Sequence, residues 1–209
     1  MTSTDHGGAV SKPSNWNLPN GITIARILLA PIFFAMLLID GSGPDGSTGG
    51  WLRWAAAVLF ILAIATDGID GHIARSRNQV TDLGKLLDPI ADKVLTGAAL
   101  IGLSILAELP WWVTIVILVR EIGITVWRFV QLSDRVIPAS RGGKLKTLMQ
   151  SIAISLALLP FPSLLGEWMN WVNGVFMTIA VVLTVLTGLD YLIQARRLNR
   201  RPAGRPGTA

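Results

Sequence analysis

Long apolar stretches alternate with short polar ones along almost the whole chain. Residues 20–40 read NGITIARILLAPIFFAMLLID, and comparable runs occupy about 51–74, 82–107, 111–130, 148–165 and 171–195. Crossing a hydrocarbon core of roughly 30 Å takes about 20 residues of helix at about 1.5 Å each. The pattern therefore predicts an all-α integral membrane protein with six transmembrane helices. Trp51 and Trp54 open the second run in the manner of an interfacial aromatic belt. The connections are polar: GSGPDGSTGG at 41–50, ELP at Glu108–Pro110, and a basic stretch from Gln131 to Thr147.

An even number of spans returns both termini to one side. Of 18 lysines and arginines, only Arg53 falls in an outer loop or its flank on this scheme. The bias of basic residues toward the inside then places both termini at the cytoplasm. Residues 1–19 are polar and aperiodic, without the basic start and apolar core of a cleavable signal peptide, and are expected to form a mobile tail. Residues 196–209, with Arg196, Arg197, Arg200, Arg201 and Arg205, are expected to be a disordered basic tail drawn to anionic lipid. Residues 20–195 remain as one six-helix transmembrane domain.

Acids set within these runs turn a membrane anchor into a candidate site. From Asp67 the chain reads DGIDGHIARSRNQVTDLGKLLDPIADKVLTG. Asp67, Asp70, Gly71 and Ala74 are spaced i, i+3, i+4 and i+7, one face of a helix, and Gly84, Asp88 and Asp92 repeat every four positions on the next. Asp67 lies sixteen residues beyond Trp51, about 24 Å along a helix, so the acids gather near the inner boundary. Ionised carboxylates are costly there unless something neutralises them. Oxygen donors without His or Cys suit Mg²⁺ or Mn²⁺. Two such ions hold both the attacking and the leaving oxygen of a phosphoryl substitution.

The order Asp67-x-x-Asp70-Gly71-x-x-Ala74-Arg75, eight residues, Gly84-x-x-x-Asp88-x-x-x-Asp92 resembles the signature of the CDP-alcohol phosphotransferases at every fixed position. The resemblance implies a catalytic domain of six transmembrane helices, usually a homodimer, in which the hydroxyl of one alcohol displaces CMP from another. It implies that Asp67, Asp70, Asp88 and Asp92 bind two metal ions and that Asp92 is the general base. Gly71 and Ala74 would leave room for the nucleotide, with Arg75 facing its phosphates. Asn20, Thr23, Asp67, Gly71, Ala74, Arg75 and Gly84 are then the expected contacts of the CDP moiety.

Further segments are similar to phosphatidylglycerophosphate synthases: LPNGITIARILLAPIF, LGKLLDPIADKVLTG, REIGITVWR and GGKLKTLMQ, which together extend the likeness over about residues 17–150. They imply CDP-diacylglycerol as donor and sn-glycerol 3-phosphate as acceptor. Arg26, Arg120, Arg128, Arg141, Lys144 and Lys146 become candidate ligands of the acceptor's phosphate, and the paired glycines before Lys144 give a phosphate access to backbone. From the residues alone, a snorkelling role for Arg26 and a structural ion pair of Arg120 with Glu121 stay open.

Composition narrows the alternatives. The absence of cysteine removes disulfide frameworks and thiolate metal sites. The net charge of +5 resides in short loops between apolar runs rather than on a soluble face, which disfavours nucleic acid as a partner. Another acceptor remains within the same chemistry: inositol phosphate, or phosphatidylglycerol as in a cardiolipin synthase of this fold. A divalent-cation transporter would spread its carboxylates near the midplane of several spans, whereas here they crowd one boundary on two.

Overall fold

The apolar runs fold as helices. The computed structural model describes residues 17–41, 50–76, 81–131 and 141–199, with side chains described at all of these except 68–76, 82, 85, 128–131, 141–142 and 194–199. The described residues are all-α: α1 (Leu18–Gly41), α2 (Trp51–Ser76), α3 (Asp82–Ile105), α4 (Trp111–Gln131), α5 (Arg141–Leu158), α6 (Phe161–Leu165) and α7 (Trp168–Asn199). Residues 1–16 and 200–209, most of the two expected tails, lie outside the described residues.

Several boundaries differ from the pattern of apolar positions: α1 begins at Leu18, inside the expected N-terminal tail, and α7 continues to Asn199, four residues into the expected disordered C-terminal tail. Helix α5 starts at Arg141, seven residues before the apolar run, so Arg141, Lys144 and Lys146 belong to a helix and not to a loop. Lys, Leu and Met are good helix formers and carry the turn over Gly142 and Gly143. Its end is set by Pro160, which cannot donate to the helix and biases Leu159 away from helical backbone. The five residues of α6 occupy the bend before α7.

Helices α1 and α3 run parallel, with α2 antiparallel between them in sequence. Asn20 meets Thr81 at one end, and Gly41 lies against Leu106 at the other. Close approach along this pair needs Gly102, where a Cβ would stand 2.6 Å from Leu37 Cδ2. Helix α1 packs on α2 and α3, α5 packs on α7, and α4 joins the two groups through α3 and α7. Between α3 and α4, Ser104 and Thr114 share a 2.7 Å hydroxyl contact, the kind of polar link that holds helices together in apolar surroundings.

The interior is a layer of fully buried apolar side chains, among them Phe33, Phe60, Leu100, Leu103 and Ile154. The outward faces are apolar as well: Leu28, Ile32, Leu62, Val119, Val182 and Leu186 are all about half exposed or more. Trp51, Trp111, Trp112, Trp168 and Trp171 are exposed at the starts of α2, α4 and α7. Helices α1 and α7, the latter over Trp168–Ile193, are long and apolar enough to cross a membrane. The ionisable residues inside α2, α3 and α4 lower the hydropathy of those helices.

The tryptophan end is tied by Arg53, which is 2% exposed. Its Nε donates to the Leu158 carbonyl at 2.8 Å and one terminal nitrogen donates to Ala157 O at 3.0 Å while pairing with Glu108. One guanidinium thus joins the start of α2, the turn before α4 and the exposed carbonyls at the end of α5. Trp54 stacks edge-on against Phe161 of α6 beside it, with centroids 6.2 Å apart.

Candidate active site

At the opposite end, three residues of α1 spaced by three share one face and engage the next two helices in turn. Thr81 caps α3, its hydroxyl accepting from Gly84 N at 3.0 Å. Asn20 Nδ2 donates to the same hydroxyl at 2.8 Å. A Cβ on Gly84 would lie 2.6 Å from Asn20 Oδ1 and 3.2 Å from Thr81 Oγ1, so glycine is what lets α1 approach the cap. One turn deeper, Thr23 Oγ1 donates to Asp88 Oδ1 at 2.8 Å. A further turn along, Arg26 pairs with Asp67 on α2.

The burial of these residues is asymmetric. Thr23 and Arg26 are 1% and 2% exposed, whereas the Asp67 side chain is 45% exposed and that of Asp92 34%. Buried α1 groups therefore hold acids that remain open to a ligand. Asp67 also lies within the fields of Asp92 and Asp88 across the α2–α3 boundary. The side chains of Asp70, Gly71, Ala74 and Arg75 fall outside the described residues, although their backbone continues α2.

A second cluster adjoins Asp92. Lys93 Nζ stands 2.5 Å from Asp92 Oδ2 and 2.6 Å from Glu121 Oε2. Glu121 also receives Arg120 at 2.8 Å and pairs with Lys146. The other arm of Arg120 donates to Thr187 Oγ1 on α7 at 3.0 Å. Of the expected phosphate ligands, the structure brings Arg120 and Lys146 together on one carboxylate and sets Arg26 apart against Asp67. Lys144 is exposed on the first turns of α5; the side chains of Arg128 and Arg141 lie outside the described residues.

Sequence reasoning did not single out Lys93, Thr81 or the hub role of Glu121. Lys93 carried a signal, because a base directly beside an acid within an apolar run is the pairing that buried charge requires. Thr81 reads as an N-cap three residues before Gly84. That Lys93 and Lys146 meet on Glu121 depends on three helices packing, which no local spacing reports.

The donor set of the first cluster is all oxygen, the chemistry of a hard divalent cation. Positive charge is already placed against it by Arg26 and Lys93, which is what an ion would supply to these acids. Among the described residues no three carboxylates form a ready-made cage, and the side chain of Asp70 stands outside them. An apolar groove of about 530 Å³ between α1 and α2 leads away from the cluster. Arg26 and Thr66 line its end nearest the acids, and Ile22, Leu29, Val58 and Leu62 form its walls.

Comparison with known proteins finds relatives that match most of the chain. A Mycobacterium tuberculosis protein described as a probable phosphatidylglycerophosphate synthase is 45% identical over 181 residues, 87% of this chain and 82% of the relative. A Bacillus subtilis CDP-diacylglycerol–glycerol-3-phosphate 3-phosphatidyltransferase is 40% identical over 184 residues, 84% of this chain and 93% of its own. A Rickettsia typhi protein of the same description is 38% identical over 179 residues, 84% of this chain and 94% of its own. Residues 16–186 match the CDP-alcohol phosphatidyltransferase family, taking in α1 through most of α7 and every acid of the cluster, and the chain belongs to that family.

Proposed function

We propose that this protein transfers the phosphatidyl group of CDP-diacylglycerol to sn-glycerol 3-phosphate, forming phosphatidylglycerophosphate and CMP. The observation that carries the reading is the set of open acids Asp67, Asp88 and Asp92 on two neighbouring helices, the first two held from α1 by Arg26 and Thr23 and the third by Lys93. The named activities of relatives at 38–45% identity support the donor and the acceptor. The apolar groove lined by Arg26 suits an acyl chain whose headgroup lies at the acids.

On this reading Asp67, Asp70, Asp88 and Asp92 hold two Mg²⁺ or Mn²⁺ ions, which when bound supply charge neutralisation at the phosphoryl oxygens. The acceptor's hydroxyl oxygen bonds to the phosphorus that carries diacylglycerol. The bond from that phosphorus to CMP breaks, and CMP leaves with the electron pair. Asp92 takes the hydroxyl proton, which requires hydrogen-bond reach to the acceptor. Lys93, 2.5 Å away, keeps the Asp92 carboxylate directed while it waits for that proton. Arg75 and Gly71 belong on the nucleotide side, and Arg120, Lys144 and Lys146 on the acceptor side.

Six spans, cytoplasmic termini, an active site at the cytoplasmic face of the cell membrane and a homodimer complete the proposal. The exposed apolar faces, the tryptophans at one end and the excess of basic residues toward the other support the membrane placement. Dimerisation rests on the family likeness.

The test is to incubate the purified protein with CDP-diacylglycerol, Mg²⁺ and, separately, sn-glycerol 3-phosphate, inositol phosphate or phosphatidylglycerol, then weigh the lipid formed. Phosphatidylglycerophosphate with the first acceptor alone is the expected result. A lipid from another acceptor would overturn the acceptor assignment, and no CMP release with any of them would overturn the enzymatic reading.

A further inference from the structure

We propose that Glu121 is a positioning residue that arranges Lys93, Arg120 and Lys146 into a receptor for the acceptor's phosphate beside Asp92. The inference rests on the reaction proposed above and concerns a residue to which the family signature gives no part. Glu121 is 5% exposed on α4. Its carboxylate receives cations from three helices: Lys93 from α3 at 2.6 Å, Arg120 from α4 at 2.8 Å, and Lys146 from α5.

The charge balance of this cluster is what points to a ligand. Among the described residues the three cations of this cluster pair with two anions, Glu121 and Asp92, so its own ion pairs leave one positive charge over. Buried charge is expensive unless paired, and a phosphate monoester, carrying about −1.5 to −2, compensates the surplus. One donor in the same cluster also has unused capacity: Arg120 has no hydrogen-bond partner at Nε.

Glu121 does more than neutralise. Lysine is a flexible point charge whose rotamer freedom is lost on binding; fixing two lysines and an arginine on one carboxylate removes most of that loss before the acceptor arrives. Lys93 further links the two clusters, because it bridges Glu121 and Asp92 with contacts of 2.6 and 2.5 Å. A phosphate seated on these cations would hold its own alcohol within a few bonds of Asp92. The site thereby distinguishes a phosphorylated acceptor from a plain one.

The experiment compares wild type, Glu121→Gln and Glu121→Asp as full-length protein with CDP-diacylglycerol, measuring CMP release with sn-glycerol 3-phosphate and with glycerol. For Glu121→Gln the KM for glycerol 3-phosphate rises about tenfold although the site gains positive charge, the size expected for one lost charge-assisted contact. The KM for CDP-diacylglycerol stays within about twofold, the preference for glycerol 3-phosphate over glycerol falls by a similar factor of about ten, and Glu121→Asp recovers part of it. A lower KM in Glu121→Gln would make Glu121 a mere counter-charge and overturn the proposal, as would an unchanged acceptor preference. Should Glu121→Gln not fold, Lys93→Gln, which leaves Glu121 paired with Arg120 and Lys146, must show the same loss of preference; an unaltered preference there also overturns it. If wild type itself ignores glycerol 3-phosphate, the acceptor assignment fails instead, so the two readings fail separately.

Discussion

Thr23 on α1 donates a 2.8 Å hydrogen bond to Asp88 on α3, so the direction of that carboxylate is set from a neighbouring helix. Thr23→Val keeps the shape and removes the donor. A partner of this kind is typically worth 10–100-fold in metal affinity. The Mg²⁺ concentration for half-maximal CMP release should rise by about tenfold or more, with activity largely restored at saturating Mg²⁺. An unchanged Mg²⁺ titration would remove Thr23 from the metal site.

The acids themselves should separate into two groups. Asp67→Ala, Asp70→Ala and Asp88→Ala are expected to lower turnover below detection at any Mg²⁺ concentration, since on the proposed reading each removes a metal ligand. Asp92→Asn should still bind CDP-diacylglycerol but lose about 10²- to 10⁴-fold in kcat, the usual contribution of a general base. Lipid-binding and turnover assays on the same preparations make the distinction, and near-normal kcat in Asp92→Asn would exclude it as base.

Gly84 has a packing reason that its place in the signature does not reveal. In Gly84→Ala the new methyl would meet Asn20 Oδ1 at 2.6 Å and Thr81 Oγ1 at 3.2 Å. Relieving that contact moves α1 away from the cap of α3 and costs about 1–3 kcal/mol. The shift carries Thr23 and Arg26 with it. Both thermal stability and Mg²⁺ affinity should therefore fall, whereas Gly123→Ala, which meets nothing within 4 Å, should alter neither.

Far from the acids, Arg53→Leu should weaken the fold without touching the chemistry. The change leaves Glu108 and the carbonyls of Ala157 and Leu158 without their donor. Removing one member of a buried ion pair costs about 3 kcal/mol, which for a chain of this size is a fall of roughly 5–10 °C in the thermal midpoint. At low temperature the KM values should match wild type, and an unmoved midpoint would show that the clamp is dispensable.

Much of this architecture is written in local pattern. The apolar runs announce α1 to α4 and α7 nearly to their ends, because chain length and hydropathy decide those helices within each segment. The i, i+3 and i+4 spacings place Asp67 and Asp88 on helix faces for the same reason. What local pattern does not carry is partner choice. Arg26 reads as a candidate phosphate ligand, with snorkelling as the alternative, and its pairing with Asp67 follows from the antiparallel contact of α1 with α2. Lys146 read as a loop cation, yet the first turns of α5 continue past Gly143 and turn it inward onto Glu121. Arg53, counted only as an outlying charge in the topology, proves to be a helix tie because its partners arrive from residues 108 and 158.

The apolar layer of Phe33, Phe60, Leu100, Leu103 and Ile154 separates the acid cluster from the Arg53 tie. Among the described residues, fully buried apolar side chains between two polar ends oppose the passage of ions from one to the other. On the proposed membrane placement, a cell can therefore keep many copies of such a catalyst in an energised membrane without discharging the proton gradient stored across it.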